Sequence, residues 1–116
     1  MKSLLIYFAI FLCATAAYSR TLVTPSFVVV IIHNDPEGVV SSDNITYVGV
    51  SRKTGNTVKI KGRTLHRMDA DGVTPNKFLG YEFENNKISY FVSDRGTLEV
   101  TAGEKVLLEE TGEWLD

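Results

Sequence analysis

The stretch LGYEFENNKISYFVSDRGTLEV, Leu79 to Val100, decides the fold class. Apolar and polar residues alternate on both sides of Asn85-Asn86, and two adjacent asparagines tolerate the positive φ that a tight hairpin turn requires. With that pair as the turn, Glu84 faces Lys87, Phe83 faces Ile88, Tyr81 faces Tyr90 and Leu79 faces Val92. Every second pair is apolar or aromatic, so one face is built for a core and the other for water. The charged bend SDRG, Ser93 to Gly96, leads into TLEV; a three-residue loop, Ala102 to Glu104, then leads into KVLLEE and sets Val100 against Val106 and Leu98 against Leu108.

The upstream half continues the pattern. FVVVII, Phe27 to Ile32, is an apolar, β-branched run too short for an ordinary helix, and it predicts a strand covered on both faces. NDPEG, Asn34 to Gly38, has turn chemistry. ITYVGV and TVKI follow as strands, and Lys61-Gly62 has the composition to close a hairpin into RTLHR, with Val58 opposite Leu65. MDADGVTPNK, Met68 to Lys77, is the longest irregular connection; its DADG has glycine at the fourth position and Val73 at the fifth, unlike a calcium loop with glycine sixth and oxygen ligands at alternate positions, and predicts a turn. No apolar stripe of helical period runs beyond about two turns. The expectation is an all-β fold, a small antiparallel meander of about seven or eight strands closing as a β-barrel or sandwich.

The first 19 residues have the three parts of a secretory signal: Lys2, the apolar LLIYFAIFL, and small residues in ATAAYS. Residues 20–116 are then a single domain, exported to a periplasmic or extracellular space. The apolar run from Leu4 to Ala17 falls short of the ~20 residues that span a bilayer, so no stable membrane insertion is expected once the signal is cleaved. The sole cysteine, Cys13, lies in the signal, which leaves the exported domain without a disulfide, a thiolate metal site or a cysteine nucleophile.

Charge is divided along the chain. Arg20 to Arg67 holds seven basic residues against three acidic, net +4, while Met68 to Asp116 holds four against eleven, net −7. Bulk charge excludes a nucleic-acid binder, and the local basic run RKTGNTVKIKGRTLHR suits an exposed strand face whose lysines discourage edge pairing. His33 and His66 belong to no nucleophile or zinc pattern, so no catalytic residue, metal site or cofactor is expected, and the protein is not read as an enzyme. NIT at Asn44 matches a glycosylation acceptor, relevant only to a eukaryotic source. Trp114, the only tryptophan, is expected to cap one end of the core.

From Asn56 to Glu109 the order of parts resembles the bacterial periplasmic and membrane-bound inhibitors of c-type lysozyme: the hairpin TVKIKGRTL, an irregular connection, the aromatic hairpin GYEFENNKISYF, a charged bend and TLEVTAGEKVLL. The resemblance implies an eight-stranded barrel whose loops enter the lysozyme cleft. In that family a serine before the glycine of the aromatic hairpin and a lysine after its second strand engage the catalytic carboxylates. Here those positions hold Leu79 and Val92, and the family's cysteines are absent. The polar residues beside them, Ser93, Asp94 and Arg95, are therefore the expected partner-binding residues, and the expected partner is a protein such as a cationic c-type lysozyme. The alternative function is that of a periplasmic immunity protein, an envelope-assembly subunit or a secreted effector, with the run Phe27 to Ile32 lying at an interface.

Overall fold

A computed structural model describes residues 18–36, 39 and 41–115. Residues 1–17 of the expected signal lie outside the described residues, while Tyr18 and Ser19 belong to the first strand. The strands are β1 (Tyr18–Val23), β2 (Phe27–His33), β3 (Ile45–Ser51), β4 (Thr57–Met68), β5 (Pro75–Asn85), β6 (Ile88–Ser93), β7 (Thr97–Ala102), β8 (Lys105–Thr111) and β9 (Glu113–Leu115). Each from β1 to β8 pairs antiparallel with the next, and β9 returns to pair with β1. The fold is thus the expected all-β antiparallel meander, nearly closed as a barrel.

Closure depends on a single residue. β8 and β9 are one strand interrupted at Gly112, whose N–H donates to Gly96 O at 2.8 Å. A Cβ on Gly112 would stand 1.9 Å from Val23 O, so only glycine lets the last strand leave β7 and reach β1. Across the same seam the Glu110 carboxylate accepts hydrogen bonds from the backbone N–H and the hydroxyl of Ser26.

Period-two alternation places one face of every long strand inside. Leu22, Val29, Ile31, Ile45, Tyr47, Ile60, Tyr81, Phe83, Val92 and Leu98 form the buried core. Cross-strand rows connect them: Ile31 opposes Tyr47 and Tyr47 opposes Ile60, while Tyr81 opposes Val92 and Val92 opposes Leu98. Fully burying a side chain of this size contributes roughly 1.5–3 kcal/mol, so this ring of residues supplies the main stabilising term.

Four local expectations are corrected. β4 runs unbroken through Lys61-Gly62, with no hairpin there and no pairing of Val58 with Leu65. Gly62 serves the interior instead: it faces Phe83, and a Cβ on it would meet Phe83 Cδ2 at 2.3 Å and Glu82 O at 2.2 Å. In the aromatic hairpin the turn residues are Asn86 and Lys87, at φ 51° and 68°, and not Asn85-Asn86. Phe83 consequently opposes Tyr90 and Tyr81 opposes Val92. The β7–β8 turn is the two-residue Gly103-Glu104, and a bulge after Val100 sets Val100 against Leu108 and Leu98 against Glu110. Finally, β2 is fully covered on its inner face only. Val29 and Ile31 are buried, whereas Val28, Val30 and Ile32 are half-buried and lean on outward neighbours such as Val23, Val48 and Val50.

Candidate functional site

The expected partner-binding residues occupy the bend between β6 and β7. Ser93 ends β6 and its hydroxyl accepts the Thr97 N–H at 3.0 Å, while Gly96 N–H donates to Ser93 O at 3.0 Å. Gly96 adopts φ +97°, the left-handed region that closes so short a turn, and a Cβ there would come within 3.0 Å of Gly112 O. The bend therefore rests directly on the point where the barrel closes.

Asp94 is held from three sides. Its N–H donates to Leu79 O at 3.0 Å, its carbonyl accepts the Trp114 Nε1–H at 2.9 Å, and its carboxylate lies 3.5 Å from Arg20 Nη1. Leu79 is accordingly not the inward partner of Val92; its carbonyl anchors the bend, and Val92 packs between Tyr81 and Leu98. Arg95 is exposed, and among the described residues its side chain makes no hydrogen bond or ion pair. Of the three residues, Ser93 and Asp94 shape the turn, and Arg95 is presented to solvent.

Behind the bend lies a polar and aromatic cluster that half-buried Arg20 ties together. Arg20 Nη1 donates to the Tyr81 hydroxyl at 3.2 Å, and its guanidinium carbon sits 3.9 Å from the Trp114 ring centroid. Tyr81 in turn lies 3.0 Å from His33 Nε2. The Tyr81 hydroxyl accepts from Arg20 and keeps one proton and one lone pair, so it can pair with His33 Nε2 as donor or as acceptor. Burial, reinforced by the Arg20 charge and opposed by Asp35, holds the His33 pKa below its ordinary value. Burial also pushes the Tyr81 phenol up, against the Arg20 hydrogen bond. Tyr18 stacks on His33 with centroids 4.2 Å apart and closes the cluster from outside.

Trp114 caps this end as expected, packing on the core with its N–H satisfied. His33 is the last residue of β2. His66 does not follow a turn at Lys61-Gly62: it sits within β4 opposite Phe78 of β5, the two rings 5.3 Å apart, and its Nδ1 is buried without a hydrogen-bond partner among the described residues. The DADG segment is a turn in which the Asp71 carboxylate accepts from Val73 N–H, Thr74 N–H and the Thr74 hydroxyl. Those bonds lower the Asp71 pKa to about 2.

Sequence reasoning overlooked Arg20, Tyr81 and Trp114 as the support of the bend. The available signal was parity: Arg20 and Leu22 share a face of β1, so a strand start at Tyr18 turns the arginine inward. No family model, no curated protein and no solved structure matches this chain.

Proposed function

We propose that this protein is an exported binding module that occludes a protein partner with the β6–β7 bend, in the manner of the c-type lysozyme inhibitors its C-terminal half resembles. The observation that carries this reading is the division of labour at the bend. Hydrogen bonds to Leu79 and Trp114 hold its backbone, the Ser93 hydroxyl accepts from Thr97 N–H, and Arg95 is left exposed at its tip. A cation on a rigid turn needs no backbone ordering on binding, only that of its side chain, and a carboxylate in a dehydrated cleft is the partner such a group engages most strongly. The acidic excess of Met68 to Asp116 would speed encounter with a cationic enzyme.

Lysis of bacterial walls by a c-type lysozyme, followed by turbidity, tests the proposal. Inhibition near equimolar protein is expected, and Arg95→Ala should weaken it by about tenfold or more without moving the thermal midpoint, because the side chain is exposed. Undiminished lysis at roughly tenfold excess of protein would remove lysozyme as the partner.

A further inference from the structure

The opposite end of the barrel holds a cavity that partner occlusion does not use. It opens beside the β3–β4 turn, has a volume of about 340 Å³, and is walled by Phe27, Tyr47, Tyr90, Val100 and Leu108. Small barrels have interiors just wide enough either to be filled by side chains or to hold one small ligand at the mouth. Here the filling stops short of the end.

Tyr47, with Ser51, Thr54 and Asn56 at the mouth, gives the space polar groups beside its apolar wall. Tyr47 is 2% exposed, and among the described residues its hydroxyl makes no hydrogen bond; the oxygen is not sealed off, so it is open to a partner that enters from the cavity. Its ring packs against Phe83 and Tyr90, each at a centroid distance of 5.2 Å, and lies over Gly49. A Cβ on Gly49 would stand 2.7 Å from Tyr47 Cε1 and from the hydroxyl oxygen. The missing side chain thus lets the ring lie along the wall, with its hydroxyl at the cavity. Burial raises the Tyr47 pKa, so the group is a proton donor at any physiological pH. Among the described residues no charged side chain lines the cavity.

We infer that this cavity is a binding site for one small, neutral, mainly apolar molecule that carries a single hydrogen-bond acceptor, its body among the rings and its acceptor on the Tyr47 hydroxyl. Its size follows from the volume: 340 Å³ equals about eleven water volumes, so the ligand has on the order of ten to twelve non-hydrogen atoms. Its neutrality follows from the lining, since a carboxylate would be desolvated there with no cation opposite it. A medium-chain alcohol fits this description.

Calorimetric titration of the purified full chain with 1-decanol is the test. One saturable site with Kd on the order of 10 µM is expected, with decanoate at neutral pH weaker by about tenfold. Val58 stands opposite Gly49 at the mouth and is 37% exposed, so Val58→Trp should leave the fold intact, block the opening and weaken decanol at least about tenfold. Tyr47→Phe should weaken decanol about fivefold and leave butylbenzene, which has no acceptor, unchanged. Absence of a saturable heat with the wild-type chain overturns the site. Equal decanol affinity in a Val58→Trp variant shown folded by its thermal transition overturns its location, and equal losses for both ligands in Tyr47→Phe overturn the hydroxyl contact. None of these results bears on lysozyme inhibition, which involves the other end of the strands.

Discussion

Replacing Arg20 by Met separates the two jobs of the cluster behind the bend, because Met keeps the apolar stem and removes the guanidinium. The guanidinium makes a charge-assisted hydrogen bond to Tyr81, of a kind that contributes about 1.5–3 kcal/mol. Its cation–π contact with Trp114 adds roughly 0.5–2 kcal/mol, depending on how far it is desolvated. The ion pair with Asp94 adds little, about 0–1 kcal/mol, since the Asp94 side chain is 54% exposed and the pair is screened. These contributions share one group and do not sum freely, so a loss of about 2–4 kcal/mol is expected. In a domain of this size each kcal/mol moves the midpoint by about 4–8 °C, and Arg20→Met should unfold roughly 8–32 °C lower by circular dichroism. Arg20→Lys should fall between, having charge without the planar fork and stacking face. Trp114 emission should shift to the red as the ring loses its cover. A midpoint within about 3 °C of wild type would refute the reasoning, showing that the guanidinium holds nothing together.

Gly62→Ala should destabilise by at least about 3 kcal/mol in urea unfolding, since its Cβ would press on Glu82 O and Phe83; a change below about 1 kcal/mol would mean that β4 turns at Lys61-Gly62 after all. Lys87→Gly should stabilise by about 0.5–1 kcal/mol, because a lysine at φ 68° carries left-handed strain that exceeds the entropy glycine adds to the unfolded chain. The His33 pKa is lowered by folding, so below the ordinary value of 6.5 the unfolded chain binds the proton first and stability falls as pH drops through that window. Thermal midpoints between pH 7 and pH 5 should show that decline, and His33→Gln should flatten it; an equal decline in the variant would place the titrating group elsewhere.

How much of this was legible in the chain is clearest in the aromatic hairpin. Tyr81, Phe83, Ile88, Tyr90 and Val92 share one inward face in the sequence pattern and in the structure alike, because a strand alternates with period two and a turn moved by one residue leaves that parity unchanged. The turn lies one residue further on than Asn85-Asn86, at Asn86-Lys87, although a lysine at positive φ is locally costlier than an asparagine. The register that stacks Phe83 on Tyr90 and Tyr81 on Val92 decides between them through contacts with the rest of the core. The same held at Ala102 to Glu104, where a bulge after Val100 altered the count.

At the bend, Ser93, Asp94 and Arg95 could be nominated from their position after an aromatic strand, but their unequal roles could not. Leu79 reaches Asp94 across the β5–β6 pairing, but Arg20 and Trp114 lie far off in sequence and meet at the bend only when β9 returns to β1.

By itself the sequence determined the class of structure, because alternation, β-branched runs and turn residues are local properties that make antiparallel strands the only way to bury these apolar faces. The tertiary structure alone decided what each glycine is for. Gly62 has turn chemistry and is used as a gap for Phe83, and Gly112 carries no signal and permits closure, because both depend on how near a distant backbone or ring comes. Close approach between segments remote in sequence is a property of the packed barrel, and no local preference encodes it.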